Sequence, residues 1–186
     1  VTAEEGVLAH VIDVLDTVGV PYMVTGSIAA SYHGRPRATH DADIVIDPSP
    51  QVFETLLLAL DAAGFYVDPD GARAALGQRR QFNAIETSRA VKIDLIVKKL
   101  RPFSVEEFGR RRRVDFPFAR GVATVTAEDA ILSKLEWARQ AGDSERQLRD
   151  AAGIVELNSS LDREYIETWA VRLGVSDLWS RIAQPA

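Results

Sequence analysis

The chain has 186 residues, 46% of them hydrophobic and 26% charged, the balance of an ordinary globular protein with room for one good core or a core plus a helical appendage. No apolar run approaches the roughly 18 residues of a membrane span, and no basic stretch followed by an apolar one opens the chain, so a cytoplasmic protein without a membrane partner is expected. Cysteine is absent, which excludes disulfides, thiol nucleophiles and thiolate metal sites; a metal must sit on oxygen or imidazole, and Mg²⁺ is favoured over zinc.

Taken in order, Thr2 and Glu5 have capping-box spacing, and Val7, Leu8, Val11, Ile12, Leu15 and Val18 share one helical face up to Gly19. Tyr22 to Thr25 is a short β-prone run. Gly26-Ser27 breaks it, and Ile28 to His33 makes a short helix that Gly34 stops. A helix start beside a glycine binds anions, because its first amides lack partners and the macrodipole is positive there. Downstream, Asp41 and Asp43 open the apolar run Ile44-Val45-Ile46. Residues two apart in a strand face one side, so both carboxylates emerge together, roughly 6 to 7 Å apart at Cα, and can share divalent metals. Thr39 falls on the same side by alternation, while His33 and His40 flank the stretch as packing or acceptor contacts.

Ser49-Pro50 starts a second amphipathic helix carrying Val52, Phe53, Leu56, Leu57 and Leu60 up to Gly64. Phe65 to Val67 and Gln81 to Glu86 read as short strands around the segment from Gly71 to Gly77. From Arg89 to Val97 apolar residues alternate with Lys92 and Asp94, a half-buried strand that adds a third aspartate to the carboxylate set. After Val125 strand signals stop: helices are expected from Thr126 to Gln140, Ser144 to Leu157, Leu161 to Leu173 and Ser176 to Ile182. Lys134 lies eight residues before Gly142 and Asp150 eight after it, so an antiparallel hairpin brings them to one height, as an interhelical salt bridge or as two walls of a cleft.

The net charge of −5 is unevenly placed. Residues 79–120 hold twelve Lys/Arg against five Asp/Glu, densest at Arg110, Arg111, Arg112 and Arg113. With Phe103, Phe108, Phe116 and Phe118 interleaved, the segment reads either as a solvated surface or as an RNA-binding face whose aromatics stack bases.

These residues together resemble the DNA polymerase β-like nucleotidyltransferase superfamily, in particular the AbiEii-type toxins and the MenT tRNA nucleotidyltransferases of MenAT toxin–antitoxin pairs. Gly26-Ser27 followed by Asp41-Ala42-Asp43 matches the superfamily's Gly-Ser turn and Asp-x-Asp, and Asp94 matches its third carboxylate. Lys134 and Asp150 match the lysine and later aspartate of the AbiEii branch. The resemblance implies an α+β fold, with a nucleotidyltransferase core over residues 1–125 (a mixed sheet flanked by helices) and a C-terminal helical subdomain over residues 126–186. It implies two Mg²⁺ ions on Asp41, Asp43 and Asp94, a CTP or UTP donor, and transfer to the 3′ end of tRNA. A cognate, kinase-like antitoxin is implied too, with Thr39 as its phosphorylation target.

The chemistry such transfer requires matches the residues. The start of the helix at Gly26 and Ser27 holds triphosphate oxygens, Arg37 and Lys92 add phosphate contacts, Lys134 acts as a point charge, and Asp150 orients it or the nucleotide. Other readings of the same residues are transfer to a protein or small-molecule hydroxyl, and a non-catalytic nucleotide- or partner-binding module.

Overall fold

The computed structural model describes residues 2–36 and 42–183. Helix α1 (Ala3–Val18) opens on the expected reciprocal capping box between Thr2 and Glu5 and ends on Gly19 in the left-handed conformation. Strand β1 (Tyr22–Thr25) runs directly into helix α2 (Gly26–His33), and β2 (Ala42–Ile46) returns antiparallel beside β1. Helix α3 (Pro50–Ala62) starts on Ser49, whose hydroxyl accepts from the Val52 amide.

Then come β3 (Phe65–Tyr66), α4 (Pro69–Gln78), β4 (Gln81–Glu86), β5 (Val91–Val97), α5 (Pro102–Arg110), β6 (Arg112–Phe116) and β7 (Ala119–Thr124). The last part is helical: α6 (Ala127–Gln140), α7 (Glu145–Leu157), α8 (Arg163–Leu173) and α9 (Ser176–Ile182). The stretch from Gly71 to Gly77, which carries no strong periodic signal, is helix α4. Pro69 sits in its first turn, and Ala72 and Ala75 bury its one apolar face.

Among the described residues seven strands form one mixed sheet in the order β3-β4-β5-β2-β1-β7-β6, with β2 parallel to β5 and β1 parallel to β7. The alternation of each strand divides the core. Tyr22, Val24, Ile44, Ile46, Ile93, Leu95 and Val97 face one way and pack with α1 and α3. Met23 and Val45 face the other way, into a second core with α2, α5 and helices α6 to α9. Each fully buried Leu or Ile in these layers contributes about 1.5–3 kcal/mol relative to exposure. The helices after residue 125 thus cover the sheet's second face instead of making a separate core.

Phe103, Phe108 and Phe116 are buried, so these three rings belong to the packing and are no stacking platform for bases, a correction to the expectation. Phe103 and Phe108 form the apolar face of α5, and Phe116 ends β6.

Candidate active site

Polar residues converge at one end of the sheet's second face. Asp43 on β2 pairs in register with Asp94 on β5 and with Thr25 on β1, and Asn83 of β4 pairs with Asp94. Register partners on neighbouring strands point to one side, so the two carboxylates stand side by side, on strands about 4.8 Å apart. The apolar neighbours Ile44 and Leu95 anchor the other face of each strand and fix that direction.

Asp43 also meets the start of α2. Gly26 has φ +65°, and a Cβ placed on it would fall 2.0 Å from Asp43 Oδ2, so only glycine lets the carboxylate close onto this turn. Thr25, the residue capping α2, makes no side-chain cap hydrogen bond. The Asp43 carboxylate occupies the positive end of the helix instead.

Asp94 is held from one side by Lys92, whose Nζ donates to Oδ2 at 3.1 Å and lies 2.9 Å from Oδ1 as an ion pair. The Oδ1 contact lacks hydrogen-bond geometry, and Oδ1 is buried without a hydrogen-bond partner. An acceptor-only oxygen left in that state beside a second carboxylate suits a hard divalent cation. Among the described residues no group of three His, Asp or Glu is placed to hold a metal; Asp43 and Asp94 supply two, and Asp41 lies outside the described residues. Thr39, Arg37 and His40 lie outside them as well.

Helix α2 links this sheet end to the helical layer. Lys134 on α6 donates to Asp150 on α7 at 3.0 Å, with the side chains 7% and 11% exposed, as the spacing about Gly142 predicted. At the far end of α2, His33 Nε2 lies 2.7 Å from the Val125 carbonyl, and burial pushes the imidazole pKa down, so it sits as a neutral donor. Asn158 Nδ2 donates to the His33 carbonyl, and Gly34 comes so close to α7 that a Cβ would meet the Ile154 nitrogen at 2.9 Å.

Between α2 and α7 runs a cleft of about 420 Å³. Ala30, Ala152 and Gly153 are among the residues lining it, with Ser31, Arg35, Arg146, Arg149 and Asp150. Arg35 is bound to Glu156 at 2.6 Å. These arginines carried no signal by themselves, being scattered over two helices; the i,i+3 pair of Arg146 and Arg149 just before Asp150 was the one pattern that could have marked them.

The basic segment behaves differently in space than in sequence. Among the described residues six of its twelve cations meet carboxylates: Arg79 and Lys98 share Asp47, Arg101 binds Glu136 and Arg113 reaches Asp16, all distant in sequence, while Lys92 binds Asp94 within its own strand. The sixth, Arg110, bonds the fully buried Asp129 at 3.1 Å and stacks 3.8 Å above the centre of the Tyr165 ring. Arg111 folds back onto the Phe108 ring and carbonyl, while Arg112 is exposed. The four consecutive arginines therefore divide: Arg110 turns to Asp129, Arg112 is exposed, and Arg111 and Arg113 line one cavity of about 310 Å³ with Tyr22 and Gly109.

The overall fold has counterparts among solved structures. Solved structures matching nearly the whole chain include ANT(2″)-Ia in complex with adenylyl-2″-tobramycin (TM-score 0.61, 16% identity, covering 93% of this chain and 98% of that one). Another is an antigenic nucleotidyltransferase-like protein from Paracoccidioides brasiliensis (0.62, 17%, 97% and 93%). A third is the lincosamide antibiotic adenylyltransferase LnuA bound to lincomycin (0.56, 13%, 85% and 99%). The fold is the nucleotidyltransferase fold. No family model and no curated protein matches the sequence. The end of the sheet where Asp43, Asp94 and the start of α2 converge is the candidate site on its own geometry, and among the described residues no helix is long and apolar enough to cross a membrane.

Proposed function

We propose that this protein transfers a nucleotidyl group from a nucleoside triphosphate to a hydroxyl of RNA, with the 3′ end of tRNA as acceptor and translation arrest by a toxin as the outcome. The observation that carries it is the Asp43 carboxylate seated on Gly26 at the start of α2, in register with Asp94. In such a reaction the acceptor oxygen bonds to the α-phosphorus, the bond to the β-phosphate oxygen breaks, pyrophosphate leaves, and the hydroxyl proton passes to solvent.

The start of α2 at Gly26 and Ser27 receives triphosphate oxygens, Lys92 approaches from β5, and Lys134, kept in place by Asp150, contributes a fixed positive charge. Asp43 and Asp94, with Asp41 from the same β2 segment, would hold Mg²⁺, which when bound neutralises phosphate charge and acidifies the acceptor hydroxyl. A cationic small molecule is disfavoured as acceptor by the arginines around Asp150. The donor is proposed to be CTP or UTP, and a kinase-like antitoxin to silence the enzyme at Thr39, where an added charge of about −1.5 to −2 repels triphosphate.

The deciding experiment incubates the protein with Mg²⁺, deproteinised total RNA and each α-labelled NTP in turn, beside Asp94→Asn. Label on tRNA-sized RNA with a subset of the NTPs, lost in the variant and on chelation, is the expected result. In a parallel reaction with cell extract, label on protein or small molecules alone moves the acceptor, and none anywhere leaves a binding module.

A further inference from the structure

The cleft between α2 and α7 is adjacent to the proposed reaction site and is assigned no task by it. Asp150 belongs to both, as the partner of Lys134 and as a lining residue. The cleft's second link is α2 itself: Ser27 and Ser31 are four residues apart on one helical face, about 6 Å along the axis. A group in the cleft therefore lies one helical turn from the end of α2 proposed to hold the donor's phosphates.

Its chemistry is uneven in an informative way. Among the described residues neither Arg146 nor Arg149 has a carboxylate partner; Arg149 only reaches back to the Glu145 carbonyl. Both guanidinium groups are exposed at the rim. Ala30, Ala152 and Gly153 carry no side chain larger than a methyl, which leaves a flat apolar surface. The Ser31 hydroxyl, on the lining, is buried with no hydrogen-bond partner. Two unneutralised forks, a flat apolar patch and one orphaned hydroxyl match a phosphodiester, the face of a base or ribose, and one polar edge. The volume of about 420 Å³ suits a single nucleotide and falls within the usual range of ligand clefts.

We propose that this cleft seats the terminal nucleotide of a single-stranded RNA acceptor, with Arg146 and Arg149 on its phosphodiester and Ser31 on its polar edge. The assignment rests on the RNA nucleotidyltransferase reading, and it moves the RNA contact from residues 110–113, where Arg110 and Arg113 already meet carboxylates, to α7.

The test uses the full chain and two variants that leave the carboxylates and Lys134 intact. Arg146→Gln with Arg149→Gln removes the cations, and Ser31→Leu fills the floor without changing charge. Circular dichroism first confirms that each is folded. Affinity for a short fluorescein-labelled single-stranded RNA with a free 3′ hydroxyl is then read by anisotropy between about 50 and 200 mM salt, and NTP affinity with a ribose-labelled fluorescent nucleotide. The arginine variant is expected to lose about tenfold or more in RNA affinity and to lower the salt slope by about 1.4, roughly 0.7 for each lost contact. Ser31→Leu is expected to lose RNA affinity with the salt slope kept, and nucleotide affinity stays unchanged in both.

RNA affinity equal to wild type in both variants overturns the proposal, as does a parallel loss of nucleotide affinity, which would give the cleft to the donor. If the wild type labels RNA and the variants label it with the same KM, only the cleft assignment falls. If the wild type neither binds nor labels RNA, the RNA reading itself falls and the cleft assignment with it.

Discussion

Lys134 and Asp150 form an ion pair across the α6–α7 hairpin, at 3.0 Å and almost fully withdrawn from solvent. Such a pair is weak evidence for stability, because desolvating two charges offsets their attraction, whereas removing one partner leaves a costly buried charge. Lys134→Ala strands the Asp150 carboxylate and is expected to cost about 3 kcal/mol, read in urea melts. Lys134→Met with Asp150→Leu should recover most of that stability while nucleotidyl transfer stays absent. A double variant that recovers both stability and activity would reduce the pair to a structural contact.

Gly26 offers a sharper local test. Alanine there must adopt φ +65° and drive a methyl into Asp43 Oδ2. The backbone strain is about 1–2 kcal/mol, but the larger effect is expected on catalysis, because the displaced carboxylate leaves its register with Asp94. We expect transfer to drop by about a hundredfold or more, as for a misplaced catalytic group, with a melting temperature lowered by only a few degrees. Full activity in Gly26→Ala would detach Asp43 from the chemistry.

Arg110 and Arg112, neighbours in the basic run, should separate completely. Arg110→Ala removes the cation from the buried Asp129, which also accepts from the Thr126 and Tyr165 hydroxyls, and is expected to cost about 2–3 kcal/mol. For a chain of this size that is a fall of several degrees in Tm, about 2–4 °C per kcal/mol. Arg112→Ala is exposed and should change stability by less than about 0.5 kcal/mol. Equal melting temperatures for the two variants would contradict the buried pairing.

Two buried groups set opposite pH limits. Burial raises Glu107 from 4.5 to about 7, against the hydrogen bond from Ser133, so the folded state holds a proton that the unfolded state releases. Stability from this group is full below 4.5 and lost as the pH rises to about 7; Glu107→Gln should abolish that loss and be more stable at pH 8 by up to about 3 kcal/mol. His33 runs the other way: its pKa is lowered from 6.5 by burial, so the unfolded state binds protons first and stability falls as the pH drops below 6.5. Chemical denaturation from pH 4 to 9 on the wild type, Glu107→Gln and His33→Gln checks each limb: the first variant should lose the alkaline fall and the second the acid one.

Elements whose information is local were legible in the sequence. The capping box of α1, the Ser49-Pro50 start of α3, the alternation of β5 and the hairpin about Gly142 were all expected where they occur. The convergence of Asp43 and Asp94 could be inferred because strand alternation fixes the side, although their exact register required the sheet. Charge was not legible in the same way. Residues 79–120 looked like a cationic face because their neutralising partners, Asp16, Asp47, Glu128, Asp129 and Glu136, lie elsewhere in the chain, and ion pairing depends on distance in space. Arg35, Arg146 and Arg149 went unnoticed for the converse reason: they become a group only when Gly34 and Gly153 let α2 and α7 touch.

Helix α2 can also be considered as a gauge block. Its first residue, Gly26, is pinned by the Asp43 carboxylate, and Gly34, just past its end, by the backbone of α7. The eight helical steps from Gly26 to Gly34 set a spacing of about 12 Å between sheet and helical layer. Removing one residue would shorten the spacing by about 1.5 Å and swing the far contact by about 100°, so Ser31 would leave the cleft as Gly34 left α7. The distance from the proposed donor site to the proposed acceptor cleft is therefore written into the length of one two-turn helix, and only a change of length, not of composition, would reset it.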